Sequence, residues 1–251
     1  MYTRSTKGRE KIIKASKILK QEGLKSLLIK LFLFFVLTPV RYVFVFFSSG
    51  IILFKPKRFF IFQNKKLPYF YRRYNTTWKN ERIIEVPIVF SYTQNFSARR
   101  ILEFGAVLKH YSNVKWDILD KYERGNRIIN KDVIDFKPVK KYDLIVSIST
   151  LEHVGFDEEV KDPLKIVRAI DNLRKNCLNP GGKGVITMPI GYNLEMDKLL
   201  FSRKLKFDKK IFLKRINKKN EWKEVSEKEA RTKYGSPFNA ANSIVVGIIK
   251  K

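Results

Sequence analysis

Two imidazoles are the only side chains of this 251-residue chain whose ordinary pKa lies near neutrality, and they sit in different settings. His153 follows Thr150-Leu151-Glu152 just beyond the apolar run Tyr142–Ser147, a strand end where ligands collect on open sheets. There it can act as a general base, orient a reacting group, or cap a loop. His110 lies in a short connection and reads as structural. Gly105 ends the run Ile101-Leu102-Glu103-Phe104, where a ligand at the strand ends needs a residue without a side chain. Asp120 closes Val114-Lys115-Trp116-Asp117-Ile118-Leu119-Asp120, and an acid so placed can accept hydrogen bonds from two sugar hydroxyls, with Asp117 behind it. As alternatives, Glu103 is a salt-bridge partner and Asp120 and Asp132 are turn acids. Trp78 and Arg82, in Tyr74–Arg82, suit sugar binding by ring stacking and hydrogen bonding, and suit a packing tether equally.

The single cysteine, Cys177, cannot form an internal disulfide, and no Cys/His spacing suggests a metal, so a reduced, cytoplasmic setting is expected. The net charge of +28 attracts phosphate, whether of a nucleic acid, an anionic membrane surface or a phosphorylated glycan lipid. Compositional bias toward lysine accounts for the charge equally well, because the lysines do not gather on one helical face.

The elements that must hold these residues divide into three stretches. Residues 1–58 open with a basic amphipathic pattern over Lys7–Lys30, followed by the apolar run Leu31–Phe54, which Pro39, Arg41 and Ser48-Ser49-Gly50 interrupt. A single span would carry Arg41 near its middle, so a peripheral or monotopic segment at the inner membrane face fits better, the alternative being two aromatic elements of a core. Residues 59–97 read as a joining, substrate-side segment, with Ile83–Phe90 extended and Pro87 confining it to an edge. Residues 98–251 alternate short apolar runs with loops and helices, the pattern of an α/β fold with a mainly parallel sheet. Seven strands are expected: Arg100–Phe104, Val114–Leu119, Arg127–Asn130, Tyr142–Ser147, Lys183–Met188, Lys210–Arg215 and Ser243–Ile249. The best helix is Asp162–Cys177, with Pro163 in its first turn and Asn179-Pro180-Gly181-Gly182 stopping it.

Ile101-Leu102-Glu103-Phe104-Gly105, Tyr142–Ser147, Thr150-Leu151-Glu152-His153-Val154 and Leu178–Ile186 together resemble the class I S-adenosylmethionine-dependent methyltransferases, in the group with a Leu-Glu-His-Val element after the fourth strand. The resemblance covers about three fifths of the chain. It implies a Rossmann-like, doubly wound sheet, S-adenosyl-L-methionine as cofactor and no metal. It also implies a cofactor site of Glu103, Phe104, Gly105, Asp120, Asp132, Val133 and Ser149, with Glu103 toward the methionine end and Asp132 and Val133 against the adenine. His153 becomes the catalytic candidate, Tyr192 and Asn193 join Trp78 and Arg82 as substrate residues, and Leu194–Phe207 becomes a lid or insertion. The sequence departs from the family in lacking further glycines after Gly105. Its first two crossovers, Ala106–Asn113 and Lys121–Asn126, are also shorter than the dozen or so residues a parallel connection normally needs.

The function implied is methyl transfer to a sugar or a lipid-linked glycan or polysaccharide component at the membrane. Alternatives are an RNA methyltransferase, favoured by the charge but without an RNA-binding module, and a non-catalytic methyltransferase-like scaffold, favoured by the shortened crossovers.

Overall fold

The computed structural model describes residues 24–26, 28–32, 58–94 and 100–251. Residues 24–26 and 28–32 are helical; the remainder of Lys7–Lys30 and nearly all of Leu31–Phe54 lie outside the described residues. Among the described residues no helix is long and apolar enough to cross a membrane. The contacts divide the chain at Lys55/Pro56, and Pro56–Lys251 forms one unit that includes the stretch before the sheet.

That unit opens with a hairpin of β1 (Phe59–Phe62) and β2 (Lys65–Pro68), paired antiparallel from Phe59↔Pro68 to Phe62↔Lys65. Gln63 and Asn64 both take positive φ, 47° and 62°, the backbone of a two-residue turn whose twist matches its strands.

After a 3-10 turn, Tyr74–Lys79, comes helix α1 (Arg82–Thr93), which corrects the extended reading of Ile83–Phe90. Pro87 sits inside the helix and cannot bond the Ile83 carbonyl. That oxygen instead accepts the Phe70 N–H at 2.9 Å, so the break in the ladder is repaired by the chain arriving from the hairpin. Ile83, Ile84, Val86, Ile88 and Val89 are all buried, so the apolar run reflects burial all round rather than strand alternation.

The main sheet has eight strands in the order β5-β4-β3-β6-β7-β10-β8-β9. They are β3 (Ile101–Phe104), β4 (Asp117–Leu119), β5 (Ile128–Ile129), β6 (Tyr142–Ile148), β7 (Leu178–Pro189), β8 (Lys209–Arg215), β9 (Trp222–Val225) and β10 (Ser243–Lys250). β5, β4, β3, β6 and β7 run parallel, whereas β10 is antiparallel to both β7 and β8. This is the expected α/β Rossmann-like fold, with one strand more than expected. The added strand is β9, a four-residue edge strand whose Lys223 and Glu224 leave little apolar signal in the sequence.

Alternation along β6 divides the core. Leu144, Val146 and Ile148 face α1 and the hairpin, with Phe60, Phe62 and Val185 in the same cluster. Ile145 faces the other layer, where α2 (Lys165–Asn172) and α3 (Leu194–Phe201) contribute Ile166, Ile170, Met196 and Leu200. The expected helix Asp162–Cys177 is therefore α2 continued by a π turn, Leu173–Cys177, and β7 starts directly at Leu178. Leu194–Phe207 is no lid: α3 buries Met196 and Leu200 in this core. The first crossover holds one 3-10 turn, Leu108–His110, and the second holds no helix, as their lengths required. Tyr74 stacks on His110 with ring centroids 4.7 Å apart, so the segment ahead of the sheet covers the shortened crossover.

Candidate functional site

Five parallel strands deliver their carboxyl ends to one edge, where Gly105, Asp120, Asp132, Ser149 and Ile190 follow β3, β4, β5, β6 and β7. Gly105 has φ +86°, and a Cβ there would lie 2.0 Å from Thr150 Oγ1. A side chain is thus excluded both by backbone geometry and by the residue that follows β6 and Ser149. The acids near this edge are engaged within the chain. Glu103, 1% exposed, accepts the Val107 and Leu108 N–H groups on Oε1 at 2.8 and 2.6 Å and the Trp116 indole on Oε2 at 3.3 Å. Burial pushes its pKa up to about 7 against those bonds. It serves the turn after β3 and does not face an open methionine site.

Asp120 Oδ2 accepts the Ala106 N–H at 3.1 Å, and Oδ1 accepts those of Tyr122 and Glu123 at 2.9 and 2.8 Å. It ties the first crossover to the second, and Oδ2 keeps a lone pair for a further donor. Asp132 meets Lys165 at 2.6 Å and Lys121 at 2.9 Å, and both lysines also reach Glu158. Burial would raise the Asp132 pKa, but the Lys165 and Lys121 ammoniums hold it below its ordinary value. Val133 and Phe104 are core residues, 3% and 5% exposed. Ser149 has φ +37° and donates from Oγ to Glu85 Oε1 at 2.7 Å.

The expected substrate residues separate. Trp78 packs in the cluster beneath α1, and its carbonyl accepts Asn220 Nδ2 at 3.2 Å, which makes it a tether to the β8–β9 turn. Arg82 is paired with buried Glu85 rather than turned toward a substrate. Asn193 caps α3 by accepting the Glu195 and Met196 N–H groups, and its Nδ2 holds the Glu152 carbonyl at 2.8 Å.

Tyr192 and His153 do meet. His153 Nδ1 lies 2.5 Å from Asp157 Oδ2, and the Tyr192 hydroxyl donates to the same oxygen at 3.1 Å. The two rings pack edge to face at 5.0 Å, and Phe156 and Tyr234 pack against Tyr192 from other sides. Burial lowers the His153 pKa while Asp157 pulls it back up, so the neutral ring dominates at pH 7. With Nδ1–H held by the carboxylate, Nε2 is the acceptor. Glu152 Oε1 lies 3.6 Å from that nitrogen, and Oε2 is buried with no hydrogen-bond partner. Burial pushes Glu152 well above the carboxylate range. Glu81, Glu85 and Glu152, all buried, surround the single Arg82 guanidinium closely enough to perturb one another.

Asp157 had a sequence signal, an acid four residues after His153 in a turn-forming stretch. Tyr234, Glu85 and Glu81 had none, because they come from remote segments. Among the described residues no group of acids, histidines and cysteines could hold a metal ion.

No protein-family model matches the sequence, and no curated protein matches it. Among solved structures, the chain is similar to a SAM-dependent methyltransferase from Archaeoglobus fulgidus (15% identity, TM-score 0.42, covering 71% of this chain and 98% of that one). It is also similar to N-methyltransferase NodS from Bradyrhizobium japonicum WM9 in complex with S-adenosyl-L-homocysteine (14%, TM-score 0.40, 64% and 81%). A third is a TehB-like SAM-dependent methyltransferase from Corynebacterium glutamicum (16%, TM-score 0.37, 61% and 80%). Strand order, strand direction and the two flanking layers make this chain an α/β Rossmann-like fold, and the solved structures it resembles are S-adenosylmethionine-dependent methyltransferases.

Proposed function

We propose that the chain is an S-adenosylmethionine-dependent methyltransferase whose acceptor is a sugar or a lipid-linked glycan component at a membrane surface. The observation that carries the reading is the oriented Asp157–His153 pair, with Tyr192, at the carboxyl edge of the parallel strands. Buried acids stand beside the Arg82 guanidinium behind this edge, Glu85 paired with it and Glu152 pushed by burial toward its neutral acid. The remaining lone pair of Asp120 Oδ2 suits a ribose hydroxyl. When bound, S-adenosylmethionine supplies a methyl group on a cationic sulfur that leaves as a neutral thioether.

The chain's own residues do the rest. Neutral His153 takes the acceptor's proton on Nε2, and Asp157 stabilises the imidazolium that results. Tyr192 fixes the Asp157 carboxylate, and the rings of Phe156, Tyr192 and Tyr234 offer an aromatic wall of the kind that stacks on a sugar face. Membrane association draws support from Leu24, Leu28, Ile29 and Phe32, which are exposed on a helical stretch with Lys25 and Lys30 between them.

A second reading, a methyltransferase-like scaffold, is favoured by one observation: Glu103, Gly105 and Ser149 are engaged within the chain. Calorimetric titration with S-adenosylmethionine and S-adenosylhomocysteine separates the two. Binding by the wild type, weakened about tenfold or more in a folded Asp120→Ala variant, is the expected outcome. Absence of binding by folded wild-type protein, with and without lipid, removes the enzyme reading and leaves the scaffold.

A further inference from the structure

The hairpin that opens the folded unit is apolar on both of its faces. Phe60 and Phe62 join the core and are only 3% and 2% exposed, as an antiparallel pair packed on a sheet requires. A hairpin whose other face meets water should be polar there. Instead that face carries Phe59 and Ile61, 43% and 54% exposed, and the register sets Pro68 beside Phe59 and Lys66 beside Ile61. The Lys66 ammonium lies over the Phe59 ring, 4.6 Å from its centroid, so the outer face consists of a ring, a branched aliphatic, a proline and a cation. Its support is firm. Arg58 pairs with Glu221, the Gln63 N–H donates to Glu224, and the Tyr69 hydroxyl accepts the Trp222 N–H at 2.9 Å, which fixes the hairpin to β9 and the residue before it.

Charge decides what this face meets. From Gly23 to Asn80 the sequence contains no acid, while Lys57, Arg58, Lys65, Lys66 and Arg72 lie in or beside the hairpin. Apart from Glu10 and Glu22, every acid of the chain follows Asn80, so this asymmetry is separate from the general abundance of lysine. The sequence also enters β1 directly from the apolar run Leu31–Phe54. An exposed ring and aliphatic beside lysines, in a stretch without acids, match a surface that offers a hydrocarbon boundary and negative headgroups together. A nucleic acid would engage the lysines and leave Phe59 and Ile61 in water. A second copy of the chain would bring like charge against like charge.

We propose that the outer face of the β1–β2 hairpin is the surface by which the folded unit lies on an anionic bilayer, with Phe59 and Ile61 entering the boundary between headgroups and acyl chains and Lys66 among the headgroups. The proposal rests on the membrane part of the proposed function and is independent of methyl transfer.

The test is flotation of the full chain with vesicles of phosphatidylcholine, alone and mixed with phosphatidylglycerol. Binding to the mixed vesicles is expected, weakened about tenfold or more in Phe59→Ser/Ile61→Ser and about fivefold in Lys66→Gln, and unchanged in Val139→Ser, at an exposed loop position before β6. These side chains are exposed, so the variants should keep the wild-type circular dichroism, and their titration with S-adenosylmethionine should match the wild type's. A bimane label on Ile61→Cys reads depth, since Cys177 is buried and does not compete for it. Its emission should move to the blue on the mixed vesicles and be quenched by brominated acyl chains, whereas a label on Val139→Cys should do neither. Wild-type binding that is indifferent to Phe59 and Ile61 overturns the proposal and leaves the membrane reading to residues 24–32, and no binding overturns both. Emission at Ile61→Cys that is blue without vesicles and unchanged by them would show that the chain itself covers the face. A dimer in sedimentation that Phe59→Ser/Ile61→Ser dissolves would give the face to a second copy, and either result removes the bilayer.

Discussion

Asp157→Asn is the most informative single change, because one carboxylate oxygen holds both the imidazole of His153 and the hydroxyl of Tyr192. Burial lowers the His153 pKa and Asp157 opposes it, so removing the charge must lower the pKa further. The size follows from exposure. The His153 and Asp157 side chains are 28% and 40% exposed, and such surface pairs contribute about 0.2–1 kcal/mol, which at about 1.4 kcal/mol per unit is a downward shift of about 0.1–0.7 unit. The chain has only two histidines, so proton NMR of the imidazole Cε1–H resonances, with His110→Gln to assign them, reads the shift directly. Stability carries the same sign. A histidine whose folded pKa is depressed binds fewer protons than in the unfolded chain, so the fold gains stability as pH rises through the region below about 6.5, and the variant extends that region downward. An unchanged or raised His153 pKa in Asp157→Asn would refute the placement of the carboxylate against Nδ1.

Gly105→Ala should destabilise by about 2–4 kcal/mol in chemical denaturation, combining left-handed backbone strain with the 2.0 Å approach to Thr150 Oγ1. Thr150→Gly in the same chain should restore the steric part and leave the strain, giving a non-additive double-mutant cycle. Glu103, raised to about 7, keeps its proton in the folded state above the ordinary carboxyl range. Its contribution is full below about 4.3 and is lost as pH rises through 7, about 3 kcal/mol in all, so Glu103→Gln should flatten the wild type's decline in melting temperature between pH 5 and 8. Pro87→Ala should change stability by less than about 1 kcal/mol despite its place inside α1, because the Ile83 carbonyl already has the Phe70 N–H as partner; a gain of several kcal/mol would contradict that bond. Burial pushes the Cys177 thiol up to about 12, so it should react with a disulfide reagent at pH 8 only on unfolding, and rapid native-state labelling would show that its surroundings are open.

Periodicity and composition were enough for the elements that are buried on both faces. β3, β6 and β10 are short, mostly apolar runs, and such runs between loops read as strands of a sheet covered on both faces. The short crossovers were legible too, since chain length alone limits what Ala106–Asn113 can hold. Helix α1 was not. Pro87 argues against a helix at the level of the sequence, and only the Phe70 N–H, delivered by a hairpin before it, supplies the partner that lets the helix pass through.

The site divides in the same way. The amino-acid sequence by itself determined which side chains stand at the strand ends, because Gly105, Asp120, Asp132, Ser149 and His153 each follow an apolar run by one to five residues. What those side chains touch was decided by tertiary structure. Glu103 turns back onto its own crossover, Asn193 becomes a helix cap, Val133 sinks into the core, and Arg82 lies between its neighbours Glu81 and Glu85 and the remote Glu152. A strand end is a one-dimensional property that alternation and loop length report. The partner of a polar group there depends on which remote segments pack across it, and that is set by how the two layers close on the sheet.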